Sequence, residues 1–140
     1  MSETRVQYGS PVEIVDVPHI TMNLLEKFNE LGRLMEATRA ANFLVNEASL
    51  ELDMVEAEQT EIGYAQGHIE GKTVADRDRR QTLWLGRNGE YQAAFKRLQD
   101  RQISHEIAKQ ELELASKELG VWHSIAHVQA AQLNAMATGL

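Results

Sequence analysis

A cluster of basic and aromatic residues lies near the middle of the chain. The stretch "EGKTVADRDRRQTLWLGR" gathers cations around one indole ring; the members are Lys72, Arg77, Arg79, Arg80, Trp84 and Arg87. Tyr91 and Phe95 follow about one and two helical turns later. Guanidinium groups that contact phosphates, beside aromatic rings that stack on bases, are typical of single-stranded nucleic acid binding. The pattern is therefore one that a surface contacting single-stranded nucleic acid, or a protein that binds it, would have.

Two other interpretations of this cluster remain open on the residues alone. The alternating charges of "DRDRR" can pair locally in a solvated turn, with Trp84 covering the end of a core. The cations can also face an acidic protein surface, including the acidic first helix of another copy of the chain.

The remaining candidate residues do not predict catalysis or metal binding. His123 and His127 stand four apart but have no carboxylate between them, so they are interpreted as a polar edge beside Trp122. Arg101 and His105 fall on an apolar repeat, where a polar layer fixes helix register, and Glu51 is the expected partner of Arg101. No serine has a histidine and an acid at interpretable spacing, and the chain has no cysteine. We predict no catalytic site, no metal site and no cofactor.

Composition and charge place the chain among single-domain globular proteins. Its 140 residues are 43% hydrophobic and 25% charged, with a net charge of -7. The charge is segregated: residues 1–71 carry four Lys/Arg against thirteen Asp/Glu, whereas residues 72–101 carry eight against four. No run is long enough to cross a membrane, and the first ten residues lack the apolar core of a signal peptide. We expect a soluble intracellular protein.

Apolar periodicity predicts two long helices after an extended N-terminal arm at residues 1–20. The first helix, capped by Thr21 or Asn23, is expected over about residues 21–69, with Gly71 as its C-cap. Its seam is predicted at Leu24, Phe28, Leu31, Met35, Thr38, Asn42, Val45, Ser49 and Leu52. The repeat then slips by one step and resumes at Val55, Gln59, Ile62, Gln66 and Ile69.

The second half has the stronger periodicity. Spacings of three and four run through Tyr91, Ala94, Leu98, Arg101, His105, Ala108, Leu112, Ala115, Leu119, Trp122, Ala126, Gln129, Leu133 and Met136. A turn at about residues 70–76 and a helix over about 77–137 follow, with Thr73 able to cap the first turn through Asp76. The prediction is an all-α fold: a long antiparallel helical hairpin with coiled-coil-like packing in one domain over residues 21–140.

Further apolar residues widen both seams beyond what one hairpin buries. They are Leu34, Leu44, Leu50, Met54, Phe95, Ile103, Ile107, Leu114, Val121, Ile125 and Val128. A wide apolar face must be covered, and another copy of the chain can cover it. We therefore predict a homo-oligomer, a dimer with a four-helix core.

Residues from about Leu50 to Gln129 resemble small helical proteins encoded by tailed bacteriophages. The matching pieces are "EGKTVADRD" (Glu70 to Asp78), Tyr91, Lys96, Leu98 and Trp122. Such proteins look like members of phage replication and recombination gene sets, near single-strand-binding and annealing proteins, and their activity is generally unassigned. The resemblance implies a setting in the cytoplasm of a bacterial host.

The sequence analysis thus favours a non-enzymatic oligomeric accessory protein. Its basic corner would contact single-stranded nucleic acid or a single-strand-binding protein. Two alternatives stay open: an acidic helical inhibitor that imitates DNA, through Glu56, Glu58 and Glu61, and a structural coiled-coil spacer.

Overall fold

The computed structural model describes residues 17–138 of the chain and is helical almost throughout. Helix α1 spans Val17–Ala65, α2 spans Val74–Arg87 and α3 spans Gly89–Ala137. No strand occurs in this described range, and none of its helices combines the length and apolarity needed to cross a bilayer. The fold class is therefore all-α.

Helix α1 begins earlier than the sequence predicted. It starts at Val17, not near residue 21, and Pro18 is compatible with this start because a first-turn proline removes no intrahelical hydrogen bond. Asn23 is not the cap, since its side-chain amide donates to the carbonyl of His19 within the helix (3.0 Å). Residues 17–20 of the predicted extended arm are therefore helical. The rest of that predicted arm, residues 1–16, lies outside the described part of the chain.

The chain divides into two compact units. The central unit is Met35–Gln110, and the terminal unit combines the residues up to Leu34 with those from Glu111 onward. In the central unit, Glu51 forms an ion pair with Arg97, and Thr38 donates to the carbonyl of Ala108 (3.3 Å). In the terminal unit, Lys27 lies 2.6 Å from Glu118. Both units therefore contain contacts between a segment of α1 and a segment of α3.

Burial along α1 follows an unbroken four-three repeat whose phase differs from the predicted one. The covered positions are Ile20, Leu24, Lys27, Leu31, Leu34, Thr38, Ala41, Val45, Ala48, Leu52, Val55, Gln59 and Ile62. Lys27, Leu34 and Ala41 replace the predicted Phe28, Met35 and Asn42, all three of which are exposed. With this phase the predicted slip after Leu52 disappears, because the step to Val55 belongs to the regular repeat.

Burial along α3 follows the predicted positions over most of the helix. Those covered are Tyr91, Ala94, Leu98, His105, Ala108, Leu112, Ala115, Leu119, Trp122, Ala126 and Gln129. Arg101, Leu133 and Met136 are exposed. Glu51 pairs with Arg97 and not with the predicted Arg101, one helical turn further along.

The end of α1 is built around Gly67, four residues before the predicted C-cap. Gly67 adopts a φ of +79°, the left-handed conformation that glycine accepts at least cost. Its N–H donates to the carbonyl of Tyr64 (3.1 Å), and the His68 N–H donates to that of Gly63 (2.8 Å). This pair of bonds is the Schellman motif, which terminates helices by satisfying their last carbonyls. The helix thus stops at Ala65 and not at about residue 69.

Helix α2 is a separate element between the two long helices, where the sequence predicted one helix over about residues 77–137. Thr73 caps it as predicted, since its hydroxyl accepts the N–H of Asp76 (3.1 Å). Asn88 interrupts the helical path with a ψ of 119°, and its side-chain oxygen then accepts the N–H of Tyr91 (2.9 Å). One residue therefore ends α2 and caps the first turn of α3.

Candidate nucleic-acid interface

Helix α2 carries most of the basic cluster and is fixed against the last turns of α1. The indole N–H of Trp84 donates to the carbonyl of Gln59 (2.8 Å), and the Gln81 amide donates to the Thr60 hydroxyl (3.2 Å). Trp84 and the fully buried Ile69 both pack on Gly63, where a Cβ would lie within 2.8 Å of each. These contacts hold α2 in one orientation on the last turns of α1, within the central unit.

Two of the predicted arginines are occupied by local contacts. The half-buried Arg77 donates a hydrogen bond to the carbonyl of Gly71 (3.1 Å) and so holds the loop that leads into α2. Arg79 is exposed and lies 3.7 Å from Asp76, one turn earlier on the same helix. Such an exposed pair stabilises little. Arg77 is therefore a structural residue, and Arg79 is a partly neutralised surface charge.

The other two arginines line a small surface cavity with aromatic neighbours. Its volume is about 160 Å³, and its lining, called here the α2 basic surface, is His68, Arg80, Leu83, Trp84 and Arg87. Arg80 and Arg87 stand seven residues apart, and so on one side of α2. Both are exposed, and neither forms an ion pair with any residue of the described range. Their charges are free to meet an anion.

The aromatic part of this surface is a stacked pair. The rings of His68 and Trp84 lie parallel, with centroids 4.5 Å apart and planes inclined by 10°. His68 is exposed, whereas Trp84 is half-buried. One face of the indole is thus covered by the imidazole, and a flat ligand would meet the outer face of His68 first. Sequence reasoning missed His68 because it lies in the turn, outside both helical repeats.

The remaining residues of the predicted cluster lie elsewhere. Lys72 is exposed but does not line the cavity. Tyr91 and Phe95 stack on each other at 6.3 Å and line a different groove of about 540 Å³, which shares no lining residue with the α2 basic surface. The structure therefore brings together Arg80, Trp84 and Arg87 and leaves the other members of the predicted cluster apart from them.

A polar hub that the sequence did not predict lies behind this surface. The Gln59 side chain is 7% exposed, donates to the Glu90 carboxylate (3.0 Å) and accepts from the Asn88 amide (2.7 Å). Its carbonyl also accepts the Trp84 indole N–H. Gln59 thus joins α1, α2 and the start of α3 in one network. The predicted polar layer was Arg101 and His105; Arg101 is exposed and His105 is half-buried.

The two histidines considered for metal binding are both exposed. Within residues 17–138, no three histidine, aspartate or glutamate side chains come together in a way that could hold a metal ion. His123 and His127 therefore have no third ligand in this range.

Lys27 is the one described group whose pKa is clearly shifted. Its pKa is raised because its ammonium group hydrogen bonds with the Glu118 carboxylate, with further support from the charges of Glu118, Glu30 and Glu26. Partial burial opposes this shift and is the weaker effect. A lysine therefore occupies a seam position of α1 as a charged member of an ion pair.

Comparison with known proteins identifies no relative: no family model, curated protein or solved structure matches the chain.

Proposed function

We propose that this chain is a non-enzymatic accessory protein that binds single-stranded nucleic acid through the α2 basic surface. The observation that carries the proposal is the pair of unpaired arginines, Arg80 and Arg87, beside the stacked rings of His68 and Trp84. Phosphates would meet the guanidinium groups, and a base would stack on the outer face of His68. The resemblance to phage helical proteins suggests the setting, nucleic acid replication or recombination in a bacterial cytoplasm.

The charge of the whole chain makes this interaction local. A net charge of -7 repels nucleic acid in general, so attraction depends on the few cations of α2 and its turn. Binding through so few phosphate contacts should be weak at moderate salt and clear at low salt.

The test replaces both arginines of the α2 basic surface and compares the result with a control variant that has the same net charge. We expect Arg80→Gln/Arg87→Gln to weaken binding of a labelled single-stranded oligonucleotide, measured by fluorescence anisotropy over a salt series. The slope of log K against log salt should fall by roughly 0.7 per arginine removed. The control, Arg33→Gln/Arg39→Gln, alters two exposed arginines of α1 and should leave the slope unchanged. Equal losses in both variants, or no binding by the unmodified chain at low salt, would contradict the proposal.

We further propose that α1 and α3 form an antiparallel helical hairpin and that the chain self-associates. The contacts Glu51 to Arg97 and Thr38 to Ala108, both within the central unit, support the hairpin, because the α3 number rises as the α1 number falls. Eighteen large apolar side chains of the described range are exposed, which supports self-association. An apolar helix face that the chain itself leaves uncovered can be buried by another copy. A homodimer is the assembly we propose.

The acidic face of α1 supports a second candidate. Glu58 and Glu61 are exposed and form no ion pair with a described residue, so they are free to imitate the phosphates of DNA for a DNA-binding protein. Glu58→Gln/Glu61→Gln would abolish such an interaction, whereas Arg80→Gln/Arg87→Gln would spare it.

A further inference from the structure

The groove beside Tyr91 and Phe95 combines aromatic and charged side chains. It has a volume of about 540 Å³, and its lining residues all belong to the central unit. Glu56 of α1, Thr82 and Gly86 of α2, and Tyr91, Phe95 and Lys96 of α3 contribute to it. All three helices therefore shape this groove, which is called here the α2–α3 groove.

Two aromatic rings form part of its wall. Tyr91 and Phe95 stand one turn apart on α3, with ring centroids 6.3 Å apart and planes inclined by 26°. Phe95 is 43% exposed, so part of its ring is open to a ligand in the groove. An exposed aromatic ring of this kind stacks on a nucleobase, because every base has a π-face.

Glu56 adds a half-buried carboxylate to the same groove. This carboxylate forms no hydrogen bond or ion pair with any residue of the described range. A partly desolvated anion without a donor is unfavourable, so a ligand that donates a hydrogen bond to Glu56 gains binding energy.

Lys96 is the cation of the groove. It lies 3.4 Å from Asp100 on an exposed face of α3, and such a pair holds a lysine weakly. Its ammonium group can therefore meet a phosphate that lies next to a bound base.

The Glu56 carboxylate discriminates between bases. Adenine, cytosine and guanine carry an amino group that donates to a carboxylate, and glutamate accepts from the cytosine amino group in DNA recognition. Thymine and uracil carry no amino group, and their single ring N–H stands between two carbonyl oxygens that repel a carboxylate. The groove should therefore prefer a base that has an amino group.

The α2–α3 groove and the α2 basic surface lie on two sides of α2. Thr82 and Gly86 line the groove, whereas Arg80 and Arg87 line the basic surface. At 3.6 residues per turn these two pairs project from different sides of the helix, yet all four residues are exposed. Arg79 is also exposed and projects between the two pairs. Because a helix with its side chains is about 10–12 Å thick, a strand of a few nucleotides can cross α2 over Arg79 and reach both surfaces.

We infer that the α2–α3 groove is a second base site for the bound strand, in which a base with an amino group stacks on Phe95 and donates to Glu56. Lys96 meets a neighbouring phosphate. This inference rests on the proposed binding of single-stranded nucleic acid and adds a base preference to it. The α2 basic surface alone gives no such preference, because arginines contact phosphates and stacked rings accept every base.

Two pyrimidine oligonucleotides test the preference, since cytosine and thymine have similar size but only cytosine has an amino group. Labelled oligo(dC) and oligo(dT) of about ten nucleotides would be compared by fluorescence anisotropy at low salt and neutral pH. We expect oligo(dC) to bind roughly five- to tenfold more tightly. Equal affinities, or tighter binding of oligo(dT), would overturn the inference.

A matched pair of variants assigns the preference to Glu56. Glu56→Gln should bring the ratio of the two affinities close to one, because an amide both donates and accepts hydrogen bonds. Glu58→Gln makes the same charge change at an exposed position of α1 and should preserve the ratio. A ratio that persists in Glu56→Gln would contradict the site.

Phe95→Leu tests the aromatic wall, because leucine keeps apolar bulk but removes the ring. It should weaken binding of both oligonucleotides by about fivefold or more. Phe43→Leu alters an exposed phenylalanine of α1 and should leave binding unchanged. Equal effects of the two leucines would contradict stacking in the groove.

The outcomes separate failure of the groove from failure of the proposed function. No binding of either oligonucleotide at low salt overturns both. Binding that Arg80→Gln/Arg87→Gln weakens, with affinities that Glu56→Gln and Phe95→Leu leave unchanged, overturns this inference alone. Cytidine monophosphate at the same nucleotide concentration should not displace oligo(dC), because a single nucleotide does not reach both surfaces. Its displacement of oligo(dC) would indicate a site for free nucleotides and overturn the path across α2.

Discussion

At the scale of single residues, Gln59 joins the end of α1 to α2 and to the start of α3 through its hydrogen bonds. Gln59→Met keeps the length of the side chain but removes both of its hydrogen bonds, leaving the Asn88 amide and the Glu90 carboxylate without this partner. We expect a loss of about 1–3 kcal/mol in the free energy of unfolding, measured by urea denaturation. Gln102→Met, on the exposed surface of α3, serves as the control and should change it by less than about 0.5 kcal/mol. Equal effects would show that the hub is not structural.

The raised pKa of Lys27 predicts that the stability of the chain falls at alkaline pH. Its pKa is raised in the folded chain, first by the hydrogen bond with Glu118, so the charged form is stabilised by folding. That contribution is fully present below the ordinary lysine pKa and is lost as pH rises through the folded value. Relative to Lys27→Met, the unmodified chain should lose stability from about pH 10 upward.

Urea midpoints of the unmodified chain and of Lys27→Met should be measured in parallel from about pH 9 to about pH 12. Their difference isolates the contribution of Lys27 from that of other groups that titrate at alkaline pH. A constant difference between the midpoints across this range would contradict the assignment. Lys96→Met is a suitable control, because Lys96 pairs with Asp100 on an exposed helix face.

At the scale of elements, replacing a glycine by alanine is expected to lower the stability of the chain at some positions and to raise it at another. Gly63→Ala should destabilise the chain by about 1–3 kcal/mol, because its Cβ would lie 2.7 Å from Ile69 and 2.8 Å from Trp84. Gly67→Ala should cost about 1 kcal/mol, since its φ of +79° is unfavourable for alanine. Gly32→Ala should stabilise α1 by about 0.5–1 kcal/mol. Urea unfolding followed by circular dichroism measures the free energy of unfolding of all three variants. No loss of stability in Gly67→Ala would contradict the assigned end of α1.

The elements also show how far sequence reasoning reached. Helix-compatible composition and strong periodicity predicted the all-α class. The phase of α1 was misassigned because Phe28 is more apolar than Lys27, although Lys27 occupies the covered stripe. The same phase then placed Met35 and Asn42 in the seam instead of the covered Leu34 and Ala41. Hydrophobicity identifies which residues prefer burial, but it does not decide which of two neighbouring faces packs within the chain. Gly67 and Gly71 were equally plausible caps by type, and only backbone geometry distinguishes them.

The candidate site was predicted in part for a related reason. The sequence grouped Arg80, Trp84 and Arg87, which line one cavity, because residues three and four apart share a helix face. It also included Arg77, whose guanidinium is directed to the Gly71 carbonyl, and omitted His68, which a turn brings beside Trp84. Contacts made across a turn have no period that sequence analysis can detect.

At the scale of the whole molecule, self-association predicts that stability depends on protein concentration. Dissociation of a dimer is opposed by mass action, so the midpoint of thermal unfolding should rise with protein concentration. Scanning calorimetry over a hundredfold concentration range measures the effect. A constant midpoint for the unmodified chain would contradict dimerisation.

The division of the chain into two compact units has an optical consequence. The chain has two tryptophans, and each unit holds one: Trp84 lies in the central unit and Trp122 in the terminal unit. Each indole is half-buried, so its emission should shift to longer wavelength when its own surroundings unfold. The variants Trp84→Phe and Trp122→Phe would each leave a single fluorophore. The molecule thus contains one fluorescent reporter in each compact unit.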